Sequence, residues 1–248
     1  MTYCLGMLLD EGMIMMADTR TNAGVDNFSC FKKLHTLAND PDRQIFACTS
    51  GSLSMSQTVI SLIQEGMPTE EGGEMVRTLG ATATMFRAAQ LVGEAVQKAN
   101  RTVGSALSQT KIPTTVSLIL GGRIGDAPPA LFLIYGEGNF IECKAETPFI
   151  QVGETKYGKP ILDRSIRIDT PLADAVKIGF LSYDSAMRSN LGVARPLDIL
   201  VMPRDPARPL IQKRIDADDE YFNDLSARWS AALHAARQSI PNPPFMTG

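Results

Sequence analysis

The sequence predicts an α+β protein built from two antiparallel sheets stacked face to face, with helices covering the outer side of each. Three observations carry that expectation. Strand-like runs arrive in pairs joined by tight-turn chemistry, as at Asp10-Glu11-Gly12 and Asn39-Asp40-Pro41-Asp42. The apolar period changes from two to 3.6 after Gly51 and returns to two near residue 114. No strand–helix–strand alternation runs along the chain, so a parallel sheet is not expected.

Residues 2–9 alternate as a strand, residues 13–17 form a second, and the turn between them closes a hairpin. Residues 32–37 and 43–49 make another pair. Beyond Gly51, Leu53, Val59, Ile60, Leu62 and Ile63 mark a helix that stops near Gly66. A longer helical pattern covers 74–100, with Leu79, Met85, Phe86, Ala89, Val92, Val96 and Ala99 at helical spacing. Strands resume at 114–121, 130–135, 139–143 and 148–152, turned by Pro128-Pro129 and by Gly136-Glu137-Gly138-Asn139. Helices follow at 155–164 and 171–188, then a strand at 197–202. A last helix over 218–238 places Tyr221, Phe222, Leu225, Trp229, Leu233 and Ala236 on one face. The apolar surface at 221–236, with Tyr221, Phe222 and Trp229, exceeds what a monomer normally shows, so a homo-oligomer is expected. The proline-bearing segment 241–248 reads as an extended arm. No linker or repeat divides the chain, which reads as one domain with a C-terminal helical extension.

Composition excludes several classes. The 248 residues carry a net charge of -3, with 21% charged and 44% apolar residues, as in an ordinary globular protein. No basic stripe interleaved with aromatics suggests nucleic acid. No apolar stretch reaches the roughly 18–20 residues that span a bilayer. Cys4, Cys30, Cys48 and Cys143 show no metal-binding spacing, and His35 and His234 are isolated, so neither metal nor cofactor is expected. The start of the chain lacks a basic segment followed by an apolar run and a small-residue cleavage site. A cytoplasmic protein with reduced thiols is the expectation.

Four features could carry chemistry. Met1 precedes Thr2, a residue small enough that the initiator methionine is normally trimmed from it. Thr2 would then offer a hydroxyl and an α-amine, and a free α-amine has a pKa near 7.7–8.0, suited to a base at neutral pH. Many proteins share that beginning. Asp18-Thr19-Arg20 ends the second strand, where the hairpin returns Asp18 toward Thr2; a simple turn-closing aspartate would look the same. Lys32-Lys33-Leu34 opens the third strand, and alternation sends one lysine inward, where it would need a partner such as Asp18. A solvated lysine pair is the alternative. Thr49-Ser50-Gly51 joins a strand to a helix: the glycine leaves a backbone N–H open to an oxyanion, although Ser50 or Ser52 could be an ordinary helix cap.

In combination, Thr2, the glycine turn at Gly12, Asp18-x-Arg20, Lys33 before an aliphatic residue, and Ser50-Gly51 resemble the proteasome β-subunit family, which includes the bacterial HslV peptidase. The resemblance is in register over residues 2–55 and looser to about 202. It implies a four-layer αββα sandwich, the N-terminal-nucleophile hydrolase fold, over 1–215, followed by a C-terminal helix and tail over 216–248. It also implies Thr2 as nucleophile with its own amine as base, Asp18 and Lys33 holding and tuning that amine, and Gly51 giving the oxyanion N–H. Arg20 takes a supporting role, and Thr21 and Thr49 match the wall of the S1 pocket. Within the family, three segments resemble the bacterial ancestral β subunits, the Anbu branch: Asp18-Thr19-Arg20-Thr21-Asn22-Ala23-Gly24-Val25-Asp26-Asn27, Gly153-Glu154-Thr155-Lys156-Tyr157-Gly158-Lys159-Pro160 and Tyr183-Asp184-Ser185-Ala186-Met187-Arg188-Ser189-Asn190. The absence of a propeptide and the presence of the last helix point the same way.

Two departures matter. The family's Gly-Ser-Gly is Gly153-Glu154-Thr155 here, and its Asp-x-x-Ser-Gly has as nearest stretch Arg188-Ser189-Asn190-Leu191-Gly192. Those positions support the N-terminal amine in the family. Ser189 and Glu154 are therefore the supporting candidates, with Glu154 as a replacement anchor. The resemblance implies amide hydrolysis through an acyl-threonine, on a peptide or peptide-like amide, in an open ring or spiral of identical subunits. Its implied partners are ATP-grasp-like and transglutaminase-like proteins. Two other readings are a self-assembling scaffold without turnover, and a Ser or Cys hydrolase using His35. No Gly-x-Ser-x-Gly elbow supports the latter.

Overall fold

The computed structural model describes residues 2–22, 28–69, 75–104 and 114–246. Met1, Ala23 to Asn27 of the first resemblance segment, residue 74 of the second helical pattern and the end of the C-terminal arm, 247–248, lie outside the described residues.

The first hairpin forms as its turn chemistry requires: β1 (Tyr3–Leu9) pairs antiparallel with β2 (Gly12–Asp18), with Leu5 opposite Met16. A short hairpin of β3 (Arg20–Asn22) and β4 (Phe28–Cys30) follows, which the sequence did not announce. Next come β5 (Leu34–Asp40) and β6 (Arg43–Gly51). The expected strand at 32–37 thus begins two residues later, so Lys32 and Lys33 lead into β5 rather than lie within it.

Helix α1 (Leu53–Glu65) ends at Gly66 as expected. The pattern at 74–100 is α-helical only in α2 (Met85–Ala99), which a π-helical turn at Asn100–Gly104 continues; before it stand β7 (Met67–Pro68), β8 (Val76–Arg77) and a 3-10 turn at Leu79–Ala81. Thr84 is the reason: its side chain caps the helix by accepting the Arg87 N–H at 3.2 Å, fixing the start there.

Strands β9 (Val116–Ile124), β10 (Ala130–Ile134), β11 (Phe140–Glu142) and β12 (Phe149–Gly153) follow, then helices α3 (Lys159–Ser165) and α4 (Leu172–Ser189). The helix expected from 155 starts at Lys159, with Pro160 in its first turn, where a missing N–H costs nothing. After β13 (Leu197–Pro203) comes a strand missed in the sequence, β14 (Ile211–Ile215). All but the last of its residues are exposed, so it carries no apolar alternation to read. Helix α5 (Glu220–Ser239) closes the fold.

Two five-stranded antiparallel sheets result, ordered β12-β1-β2-β13-β14 and β11-β10-β9-β6-β5. Alternation along the strands builds three cores. Cys4, Met13, Met15 and Ala17 meet Phe46, Cys48, Ile119 and Leu131 between the sheets. Tyr3, Leu5, Met7, Ile14 and Met16 pack outward against residues of α3, α4 and α5. Ile45, Ala47, Leu118 and Leu120 pack against α1 and α2. Helix, sheet, sheet and helix are the four layers expected. Strands β1 and β2 are covered on both faces, which explains a run such as Met13-Ile14-Met15-Met16-Ala17 that shows no polar alternation.

The apolar face proposed for α5 divides. Phe222 is buried against Phe180 of α4, with ring centroids 5.4 Å apart, and is no part of an exposed face. Leu225 packs partly against the same core, while Tyr221 and Leu233 remain exposed. A helix on the outside of a sandwich must anchor by one stripe, and Phe222 with Leu225 is that stripe.

Candidate functional site

One end of the sandwich gathers the start of β1, the ends of β2, β6 and β12, and the approach to β5. Thr2, Asp18, Lys33, Gly51 and Glu154 all lie there because each ends or begins one of these strands.

Asp18 is fully buried and Lys33 is 5% exposed, whereas Lys32 is exposed; both lysines precede β5, so the pairing with Asp18, not strand alternation, marks the inward one. Lys33 Nζ donates to Asp18 Oδ1 at 2.9 Å and also to the backbone carbonyl of Arg20. The same Oδ1 accepts the backbone N–H of Tyr3 at 2.9 Å. Burial pushes the Asp18 carboxyl above the usual carboxylate range; the Lys33 charge, the Lys33 hydrogen bond and the Tyr3 N–H pull it back only in part. Asp18 Oδ2 is the one buried side-chain polar atom without a hydrogen bond among the described residues.

Thr2 is 9% exposed. Its carbonyl accepts the Glu154 N–H at 2.7 Å, which extends the β1–β12 pairing one step past Tyr3 and Gly153. Gly153 has φ +87°, and a Cβ there would collide with the Thr2 carbonyl, so only glycine lets β12 pass this close. Gly51, with φ +109°, is fixed in the same way by the carbonyl of Thr115. It stands directly before Ser52, the N-cap of α1, whose side chain makes no cap bond.

Tyr3 ties Thr2 to the helical layer. Tyr183 Oη donates to the Tyr3 carbonyl at 2.8 Å, and the two rings lie 4.5 Å apart. The Tyr3 hydroxyl meets Ser182 Oγ and Gln151 Nε2, each at 2.6 Å, and burial raises its pKa to about 12. Sequence reading assigned no role to Tyr3, Ser182 or Tyr183. Tyr183 entered only as the first residue of a resemblance segment, and Ser182 only as part of the helix at 171–188.

The supporting candidates separate. Arg20 Nη1 donates to the Leu191 carbonyl at 2.9 Å. Glu154 is buried, and its Oε2 accepts from Asn190 Nδ2 at 2.6 Å; Asn190 Oδ1 in turn accepts the Gly192 N–H at 2.8 Å. Ser189 is exposed at the last position of α4, and its neighbour Asn190 makes the contact to Glu154. Asn190 is the extended C-cap residue of α4, so helical spacing alone did not mark it as a contact of Glu154.

Thr49 is buried, and its hydroxyl lies 3.4 Å from His35 Nε2, while Thr21 is half-buried on β3. Burial, then the Lys32 charge, lowers the His35 pKa, with Asp198 opposing. Among the cysteines, burial pushes Cys48 well up and Cys143 to about 12, which disfavours a thiolate at either. No helix among the described residues is long and apolar enough to cross a membrane.

Comparison with known proteins agrees with this fold. The family model described as Proteasome subunit matches residues 2–201. No curated protein matches the chain. Among solved structures, Anbu from Hyphomicrobium sp. strain MC1, as its Gly-1 mutant, is 43% identical over 98% of this chain and 99% of its own, with TM-score 0.87. Anbu, the ancestral β-subunit, from Yersinia bercovieri is 36% identical over 97% and 98% of the two chains, with TM-score 0.87. A helical assembly of the Anbu complex from Pseudomonas aeruginosa contains a chain 39% identical over 99% and 100%, with TM-score 0.89. The chain belongs to the proteasome subunit family, in its Anbu branch.

Proposed function

We propose that this protein is an N-terminal threonine hydrolase that cleaves peptides or peptide-like amides through an acyl-threonine intermediate. The observation that carries the reading is a closed circuit around Thr2. From the Thr2 carbonyl it runs to Glu154, Asn190 and the Leu191 carbonyl, then through Arg20 to Lys33 and Asp18, and back by the Tyr3 N–H. A merely structural strand end needs no such enclosure, and burying an ion pair is costly unless it has a use.

Removal of Met1 gives Thr2 the free α-amine. That amine takes the Oγ proton, Oγ attacks the substrate carbonyl carbon, and negative charge moves to the carbonyl oxygen. The Gly51 N–H is the donor for that oxyanion, helped by the N-terminus of α1. Collapse of the intermediate breaks the C–N bond, and the ammonium returns the proton to the leaving amine. Water then hydrolyses the Thr2 ester by the same proton path. Lys33, held by Asp18, stands near the amine and keeps it neutral. Thr21 and Thr49 line the S1 pocket, both small and uncharged.

A homo-oligomer belongs to the same reading, supported by the Pseudomonas aeruginosa Anbu assembly and by the exposed Tyr221 and Leu233 on α5. The test is to incubate the protein with a β-lactone and map the adduct by peptide mass spectrometry. An ester on Thr2 supports the reading; modification only elsewhere contradicts it.

A further inference from the structure

We infer that the buried hydroxyl of Tyr3, held by Ser182 and Gln151, positions Thr2 for its chemistry. The inference rests on the N-terminal nucleophile reading and adds to it a positioning residue that does not itself touch the reacting atoms.

The argument starts where β1 leaves its neighbour. The β1–β2 register ends at Cys4 opposite Ala17, so the next pair would be Tyr3 with Asp18. Side chains take over there: Asp18 Oδ1 accepts the Tyr3 N–H at 2.9 Å, and Tyr183 Oη donates to the Tyr3 carbonyl at 2.8 Å. On the other edge, Gly153 stands opposite Tyr3, and the Glu154 N–H reaches the Thr2 carbonyl. A strand end held only at its edges can still rock about its own axis. That rocking changes where the Thr2 hydroxyl and amine point.

The Tyr3 side chain resists it. Tyr3 packs in the core under the helices and Cys4 in the core between the sheets. The same alternation, continued one residue back, puts Thr2 on the face opposite to Tyr3. A side chain fixed on one face therefore sets the direction of the residue on the other.

The fixing is specific to the hydroxyl. Tyr3 is fully buried, and its Oη lies 2.6 Å from both Ser182 Oγ and Gln151 Nε2. Gln151 donates to it. Ser182 spends its one hydrogen on the Gly158 carbonyl at 3.1 Å, so Tyr3 is the donor to Ser182. The result is one directed chain, from Gln151 through Tyr3 and Ser182 to Gly158, with donor and acceptor of the phenol both used. Gly158 makes room for it: a Cβ there would collide with Ser182 Oγ and Tyr3 Oη. The Gly158 φ of -85° suits any residue, so close approach rather than backbone conformation requires the glycine. A phenylalanine would fill the same core without these demands. Instead β12, the cap of α3 and α4 are all shaped around one hydroxyl, on the residue after Thr2.

The test separates positioning from stability. Protein confirmed by intact mass to begin at Thr2 is treated with a β-lactone over a range of concentrations and from pH 6 to pH 9. Peptide mass spectrometry follows the rate and the final extent of Thr2 ester formation. Tyr3→Phe should lower the maximal acylation rate about tenfold, as a small misplacement of a reacting group does. The half-saturating concentration should stay the same, and one ester per chain should still be reached. The pH at which the rate rises should also stay in place, because a neutral phenol acts on direction and not on the charge of the amine. Ser182→Ala should slow the reaction in the same way by less. A maximal rate in Tyr3→Phe equal to the parent's would overturn the proposal. So would a reduced final extent reached at the parent's rate, the mark of a purely structural role. If Tyr3→Phe does not fold, Ser182→Ala decides by the same criteria, since it leaves the Tyr3 ring and backbone bonds in place. A parent protein that forms no Thr2 ester would instead overturn the nucleophile reading, and the proposal with it.

Discussion

Lys33 reaches the buried carboxylate of Asp18 at 2.9 Å, on the same oxygen that accepts the backbone N–H of Tyr3, the residue after Thr2. One carboxylate oxygen thus fixes both the cation and the strand that carries the proposed nucleophile. Asp18 is the hub of the site, and the position of Lys33 relative to Thr2 follows from it.

Lys33→Ala should therefore slow acylation of Thr2 at every pH from 6 to 9 and displace its rise to higher pH. The variant loses the charge that keeps the amine neutral and leaves Asp18 unpaired beside it, and both effects favour the protonated amine. Lys33→Arg keeps a charge but cannot place a single ammonium between Asp18 and the Arg20 carbonyl, so it should be nearly as slow. An unchanged rate and profile in Lys33→Ala would make Lys33 a structural lysine only.

Tyr183→Phe keeps the ring beside Tyr3 and removes the donor to its buried carbonyl. The expected cost is about 1–3 kcal/mol in urea unfolding at fixed protein concentration. Acylation should also slow, since Tyr3, the first residue of β1, loses one of the two side-chain clamps on its backbone. Stability equal to the parent protein would show that this hydrogen bond is replaced.

Much of this arrangement was legible beforehand, for physical reasons. Strand periodicity and turn residues located β1, β2, β5 and β6, and those strand ends place Asp18, Lys33 and Gly51. Outward-facing β14 was not legible, because a strand at a sheet edge with an exposed surface has no apolar alternation. Phe222 was misassigned because one helix stripe looks the same whether it faces its own core or a partner. Glu154 was found through the resemblance, but its hydrogen-bond partner Asn190 was given no role. A helix-capping asparagine is common, and only the fold brings it against the end of β12.

Peptide selectivity follows from the pocket wall proposed for Thr21 and Thr49. Thr21 and Thr49 offer no charge, and Thr49 is buried beside a His35 whose pKa is lowered. A fluorogenic panel should show preference for small or medium apolar P1 side chains. Faster cleavage after Arg or Glu would contradict the assignment of Thr21 and Thr49.

Assembly is the next expectation. A groove of about 400 Å³ between α4 and α5 is lined by Leu181, Tyr221, Leu225 and Trp229, with Lys177 and Arg228 among its other residues. Light scattering at micromolar concentration should give a mass several times the 26.9 kDa of one chain. Trp229→Asp should lower that mass. A monomer in the parent protein would remove the oligomer from the account.

The central claim is that the hydroxyl and amine of Thr2 act together, and one measurement addresses it most directly. Protein confirmed by intact mass to begin at Thr2 is treated with a peptide epoxyketone, which closes a ring using both the hydroxyl and the α-amine of an N-terminal threonine. The parent protein should gain one such adduct per chain, mapped to Thr2. Thr2→Ser should gain it more slowly, and Thr2→Ala should gain none while keeping the parent's assembly mass. Equal labelling of Thr2→Ala, or none of the parent protein, would contradict the account.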